Sequence, residues 1–447
     1  MTVISLIGLD VGSTLVKAAR FDLHGRELAV VERRVPLASP RPGWVERDTT
    51  ATWRAAVECL RAVATRQVVA VGVTGCGNGA IFADRAGRPV RAGILSSDTR
   101  ARGFVRSRRN VKGYPGQLAA LAAWLRATEP ATAGRVATAL FWKDFMRLQL
   151  TGNILTDFTD VGASGPPDRW LPPIQSSLAP AGGVLSKVAA LTGLRPGIPV
   201  VTGCIDCEAT AIGSGVRRAG EISVVGGTWS INQAFLTTRP RSRGHFLVNR
   251  SVEDGRWLVL EGSASSAANF DWAVQALGCA GGVRQALEEA ARATASHLLF
   301  LPEVPGGRGA FVGLGPSHGR GELFRAVMEG VVLTHRRHVE ALGRSLGTVR
   351  RVVLAGGVAR SQFWCQIFAD GLGCRVDVPR SRELGALGAA VCAGVGAGIW
   401  PSVAAAQRAM THTARSYRPN PARRAALNRA FDRISNFGPV LSRDSEL

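Results

Sequence analysis

Asp206 stands in Thr202-Gly203-Cys204-Ile205-Asp206-Cys207-Glu208-Ala209, between an apolar strand-like run and a helical one. A carboxylate at a helix start is kept ionised by the amide dipoles, as a general base must be. The same position suits a helix-capping aspartate, so residue type and place allow both roles. Glu208 is a second carboxylate within reach of the same chemistry. Cys204 and Cys207 have CxxC spacing, but a zinc site needs a second pair of ligands and none follows.

Three glycine-rich turns each follow a strand-like run: Gly8-Leu9-Asp10-Val11-Gly12-Ser13-Thr14, Gly226-Gly227-Thr228 and Gly356-Gly357-Val358-Ala359. One such turn is ordinary hairpin chemistry. Two hairpins with hydroxyls at their tips can grip a polyphosphate from both sides through backbone N–H groups. Asp10 beside the first turn is either a turn-stabilising aspartate or a ligand for hydrated magnesium, which prefers few carboxylates and several waters. Lys17 follows on the next strand, where it either touches phosphate or lies on the strand face. The chain has no GxxxxGK[ST] pattern, which excludes a P-loop nucleotide site.

The elements that hold these residues repeat once. Strand-like runs at Val3–Leu9, Leu15–Phe21 and Leu28–Val35 precede a helical stretch at Thr50–Arg66 and a strand at Val68–Val73. Helices at Gln117–Arg126 and Trp142–Leu150 and a strand at Ile198–Thr202 complete the first half. The order recurs after residue 220: strands at Glu221–Val225, Ser230–Phe235 and Trp257–Leu260, a helix at Ser265–Leu277, and a strand at Arg351–Leu354. A helix at Gln362–Leu372, a strand at Arg375–Val378 and a small-residue helix at Leu384–Ala393 close it. The repetition predicts two mixed-sheet α/β domains, 1–217 and 218–447, facing each other across a cleft. A final helix and a disordered end are expected after Ser416.

The 447 residues carry a net charge of +22, almost all of the excess being arginine. No zinc-finger or RNP-type motif accompanies it, so a solvated basic surface is favoured over a specific nucleic-acid partner. No run of about 18 apolar residues suits a membrane span, and the first residues read as a strand rather than a leader. A cytoplasmic protein with eight reduced cysteines is expected, and a homodimer is compatible with the sequence.

Taken together the motifs resemble those of the FGGY carbohydrate kinases over nearly the whole chain. The first two turns are similar to that family's phosphate motifs. Leu354-Ala-Gly356-Gly357-Val358-Ala-Arg-Ser361-Gln-Phe-Trp364 is similar to its adenosine-side motif. The most specific match is the gapped signature Gly309-Ala-Phe311-Val-Gly313-Leu314, seven residues, Glu322-Leu323, two residues, Ala326-Val327-Met328-Glu329. The resemblance implies a two-domain actin-like ATPase (ribonuclease H-like) fold and transfer of the γ-phosphate of ATP to a sugar hydroxyl, with Mg2+. It makes Asp206 the base, and places Mg2+ at Asp10 and Asp206 through water. ATP is expected at Asp10, Gly12, Ser13, Thr14, Lys17, Gly227, Thr228, Gly356, Gly357, Val358 and Ser361, and the sugar at Trp44, Asn78, Gly79, Asp98, Arg100 and Asp206.

Within the family, Ser39-Pro-Arg-Pro-Gly43-Trp44-Val-Glu46-Arg47-Asp48, Gly93-Ile-Leu-Ser-Ser-Asp98-Thr-Arg100 and Gly227-Thr228-Trp229 are similar to L-xylulose kinases, and in part to other pentulose, polyol and erythritol kinases. The chain departs from the pattern at the compressed stretches 110–116 and 302–308, at Ser13, and at Cys207 after the base. A polyol kinase and a catalytically inactive sugar- or nucleotide-binding protein therefore stay open as alternatives.

Overall fold

A computed structural model describes residues 3–107, 113–164, 168–240, 246–294, 297–302 and 309–442. Much of the compressed stretches at 110–116 and 302–308 lies outside the described residues.

Two mixed sheets carry the chain. The first has six strands in the order Pro180–Gly183, Pro199–Ile205, Val68–Gly75, Ser5–Val11, Leu15–Asp22, Glu27–Arg34. The second has seven, in the order Leu247–Arg250, Trp257–Ser263, Ser230–Leu236, Glu221–Gly226, Arg351–Gly356, Arg375–Pro379, Thr413–Tyr417. In each, a central strand pairs antiparallel with the strand after it and parallel with a later one: Ser5–Val11 with Leu15–Asp22 and Val68–Gly75, Glu221–Gly226 with Ser230–Leu236 and Arg351–Gly356. Each glycine turn therefore sits at the end of a central strand.

Local chemistry explains the elements. Ser5–Val11 is almost continuously apolar because both of its faces are covered. Glu27–Arg34 forms an edge and carries Glu27, Glu32, Arg33 and Arg34, charges that discourage further pairing. The helix Thr49–Val63 is capped by Asp48, whose carboxylate accepts from Ala51 N at 2.9 Å. The strand Thr413–Tyr417, which sequence reading does not mark, ends just where the tail is expected to begin, and the final helix spans Pro421–Ser442. Among the described residues no helix is long and apolar enough to cross a membrane.

The small-residue helix Leu384–Gly396 crosses back. In sequence it lies between the last two strands of the second sheet, yet it packs on strands Ser5–Val11 and Val68–Gly75 and on the helix Asp206–Ser214. A methyl group at Gly8 would lie 1.8 Å from Ala386 O, and one at Gly388 1.8 Å from Ala209 O. Backbone-to-backbone approach of this kind admits only glycine. One buried cluster there joins Leu6, Val201 and Ile212 to Phe235, Leu258, Val353 and Leu387. The halves thus share a core at the base of the cleft.

Candidate active site

A pocket of about 410 Å³ opens between the two sheets. Asp10, Gly12, Ser13, Thr14 and Lys17 line one side, Asp206, Cys207 and Thr210 the second, and Val225, Ile231 and Gln233 the third. The first turn and the candidate base therefore share one cavity.

Asp206 is the first residue of the helix Asp206–Ser214; Ile205 occupies the cap position. The capping role is thus not the one Asp206 plays. Its Oδ1 accepts from Cys207 N at 2.7 Å, and the amides of Gly77 and of Asp206 itself also donate to the carboxylate. Burial outweighs these amides and raises the group to about 6. It is ionised near neutral pH yet basic enough to take a proton. A methyl at Gly77 would fall 2.2 Å from Ile205 Cδ1, so any side chain there would have to displace that isoleucine.

A buried charge cluster steadies that junction. Lys143 Nζ lies 2.6 Å from Asp144, 2.7 Å from Asp157 and 3.0 Å from Asp160. Asp157 accepts from the Thr159 hydroxyl at 2.6 Å, and the same hydroxyl accepts from Ile205 N at 2.9 Å. The chain of bonds runs from Lys143 to the residue before the base.

Asp10 is raised further, to about 7, first by burial and then by the Asp206 charge, with Lys17 pulling the other way. Lys17 Nζ bonds Glu383 Oε2 at 2.5 Å and lies 3.3 Å from Glu32. Two carboxylates in one pocket suit a hydrated, hard divalent cation. Among the described residues no group of three or more His, Cys, Asp and Glu side chains could cage a metal.

A second pocket, about 800 Å³, lies on the far side of the second turn. Gly227, Thr228, Gly357 and Ser361 line it with Phe270, Asp271, Arg284, Glu288, Arg360 and Trp364. Its apolar wall and polar rim suit a nucleoside. Val358 departs from expectation: its side chain is fully buried, and a methyl at Gly226 would strike its Cγ2 at 2.4 Å. It spaces the two turns and offers no side-chain contact. Gly356 has φ +87°, so the turn needs glycine there. Ser361 Oγ is engaged as a helix cap, accepting from Trp364 N at 3.2 Å.

The sugar-side expectations fare differently. Asp98 is 1% exposed, and its oxygens already accept from Val45 N, Arg100 N, Arg100 Nε and Arg100 Nη2 at 2.6–2.9 Å. Arg100 also pairs with Glu46 at 2.8 Å and stacks 3.8 Å over Trp44, which meets Trp124 edge-on at 5.4 Å. Asp98, Arg100 and Trp44 make an internal ion-pair and stacking cluster, which leaves Arg100 Nη1 without a partner. Gly79 N is likewise spent on Gly116 O at 2.9 Å. Asn78 keeps its candidacy: it holds φ +62°, and its Oδ1 is buried without a partner. Glu208, the reserve base, is fully buried and turned away, accepting from Ser251 Oγ at 2.6 Å and Val252 N at 2.8 Å.

Sequence reasoning passed over Thr210, Val225, Ile231, Gln233 and Tyr114. The phenol of Tyr114 is raised by burial and then by the charge of Asp206. Gln233 left a partial signal, a polar pair with Asn232 inside the strand Ser230–Leu236; Tyr114 falls in the compressed stretch 110–116 and is brought in by a loop.

Comparison with known proteins agrees with this geometry. The N-terminal-domain model of the FGGY family of carbohydrate kinases matches residues 5–168 and the C-terminal-domain model residues 222–397. The chain is 30% identical to the L-xylulose/3-keto-L-gulonate kinase of Escherichia coli K12, over 96% of each chain. It superposes on a xylulose kinase from Rhodospirillum rubrum with TM-score 0.85 at 26% identity, covering 98% of this chain and all of that one. A xylulose kinase from Lactobacillus acidophilus matches with TM-score 0.91 over 98% of this chain and 99% of that one, at 19% identity, and so shares the fold. With both halves of the family matched around a cleft that joins a phosphate-type turn to a partly buried aspartate, the chain belongs to the FGGY carbohydrate kinases, has their two-domain actin-like fold, and is an ATP-dependent sugar kinase.

Proposed function

We propose that this kinase phosphorylates a hydroxyl of a ketopentose of the L-xylulose type, with Asp206 as the base. The observation that carries the reading is the shared pocket of Asp10, the Gly12–Thr14 turn and Asp206. The similarity to an L-xylulose/3-keto-L-gulonate kinase over 96% of each chain supports the substrate class.

In this reading the amides and hydroxyls of Ser13, Thr14, Gly227 and Thr228 hold the phosphates, and the pocket walled by Phe270 and Trp364 holds the nucleoside. The sugar hydroxyl lies between Asp206 and the γ-phosphate. Its oxygen forms a bond to phosphorus, the bond to the ADP oxygen breaks, and the proton passes to Asp206 Oδ. Asp10 and Asp206 would hold Mg2+ through water; the ion supplies charge neutralisation on the phosphoryl oxygens. Asn78 Oδ1, buried and unpaired, accepts a sugar hydroxyl. Domain closure excludes water before transfer.

The test is ADP release with L-xylulose, D-xylulose, 3-keto-L-gulonate and erythritol as acceptors. We expect L-xylulose or 3-keto-L-gulonate to give the highest kcat/KM. Preference for erythritol would move the assignment to the polyol kinases, and turnover with none would overturn the substrate class.

A further inference from the structure

Gln233 lies in the middle of the strand Ser230–Leu236 and is fully buried. Side chains alternate along that strand. Ser230 and Asn232 turn to one face, where they bond the ring nitrogens of His335 and His338 at 2.8–3.3 Å. Ile231 and Gln233 turn to the other and line the pocket that holds Asp10 and Asp206.

The polar atoms on these two faces are treated differently. On the histidine face they are bonded. On the pocket face, Nε2 and Oε1 of Gln233 both lack a partner. So does Oγ of Ser223, the residue directly opposite Gln233 in the antiparallel pair. Directly opposed side chains have Cβ atoms about 4.5–5.5 Å apart, close enough for a bond that is not made. Buried amides without partners are costly and rare in folded proteins. A donor and an acceptor held together at the edge of a polyphosphate-type pocket mark a place where a ligand completes the hydrogen bonding.

We propose that Gln233 is a nucleotide-positioning residue, its Nε2 donating to a phosphoryl oxygen of bound ATP and its Oε1 accepting from a water that hydrates the same phosphate. The assignment rests on reading the Asp10–Thr14 pocket as the phosphate pocket. The amide tethers the phosphate end from the second sheet while the turn at Gly12–Thr14 grips it from the first. It touches no proton in flight, so its effect is on alignment.

The experiment compares wild type with Gln233→Met, Gln233→Glu, Ser223→Ala and Asp10→Asn. It reads the melting temperature without ligand, ADP affinity with and without Mg2+ by calorimetry, and kcat and KM for both substrates. Methionine removes two unpaired polar atoms at nearly constant volume, so the ligand-free Gln233→Met protein should melt about 2 °C higher than wild type. Its ADP affinity should fall at least tenfold and its kcat at least tenfold, with the sugar KM changed less than twofold. Gln233→Glu keeps the size and adds a negative charge, and should weaken ADP more than Gln233→Met does. Weakening of ADP in the presence and absence of Mg2+ locates the bond on phosphate; weakening with Mg2+ alone would assign the amide to the hydration of the cation and overturn the direct phosphate bond. If Ser223→Ala reproduces Gln233→Met, the two residues serve each other and the proposal fails. If Asp10→Asn weakens Mg-ADP while Gln233→Met and Gln233→Glu leave ADP and kcat within twofold of wild type, the Gln233 assignment alone falls. If Asp10→Asn also leaves Mg-ADP unchanged, the phosphate-pocket reading itself has failed.

Discussion

Lys17 and Glu383 are 366 residues apart in sequence and 2.5 Å apart in space, an ammonium–carboxylate bond between the second strand and the cap position of the helix Leu384–Gly396. The bond raises the lysine and neutralises a cation on the wall of the phosphate pocket. Glu383→Gln frees that charge for the nucleotide. A partly exposed pair is worth up to about 1 kcal/mol, so the KM for ATP should fall by roughly threefold to fivefold. Lys17→Ala should raise it. Steady-state kinetics at low ionic strength reads both, and an unchanged KM in both variants would confine Lys17 to a structural role.

Gly385 stands where a methyl group would lie 2.4 Å from Asp10 Oδ2. Gly385→Ala pushes that carboxylate out of place without altering its charge. Mg2+ dependence should weaken at least tenfold, while the melting temperature falls only modestly. Titrating activity against Mg2+ checks this.

Glu208 is pushed up from 4.5 to about 8 by burial. The fold therefore favours its protonated form, and the sign follows: its contribution to stability is full below about pH 4.5 and is lost as the pH rises to about 8. Glu208→Gln removes the titration. The variant's melting temperature, relative to wild type, should rise steadily from pH 5 to about pH 8.5, in a thermal scan across that range. A constant difference would mean that Glu208 stays ionised.

Lys143 balances three buried carboxylates. Removing one partner of a buried ion pair costs about 3–5 kcal/mol, so Lys143→Met should destabilise the protein by that order in urea unfolding. The loss should also reach the base through Asp157, Thr159 and Ile205 N, lowering kcat in whatever folded protein remains.

Much of this architecture is legible locally. The glycine turns stand out because a strand, a positive-φ or close-packed glycine and a hydroxyl fall within seven residues, and the helix Gln362–Leu372 because a capping serine opens an apolar period. What escapes is set by distance. The helix Leu384–Gly396 is apolar all round, so no face of it says that it will pack on the first sheet. Asp98 and Arg100 read as loop polar residues open to a sugar; only the fold brings Glu46, Trp44 and Trp124 around them. Asp206 is recognisable as an acid at a junction, but its raised basicity comes from burial in a pocket whose other walls, the first turn and the strand Ser230–Leu236, are brought to it only by the fold.

The pH profile follows from the two pocket carboxylates. Asp206 at about 6 and Asp10 at about 7 act as anions, one as base and the other toward the cation. Activity should be full above about pH 7.5 and fall as the pH drops through that range, with a limb steeper than one proton. Saturating Mg2+ should move the limb to lower pH, because both carboxylates face the cation.

Asp206→Asn is the most direct test of the central claim. The asparagine keeps the size and accepts from the same amides, but it cannot take a proton. ADP release with the preferred sugar should fall by about 10²–10⁴ in kcat, with the affinities for ADP and sugar within a few fold of wild type by calorimetry. An Asp206→Asn protein that turns over within about tenfold of wild type would place the base elsewhere and contradict the account.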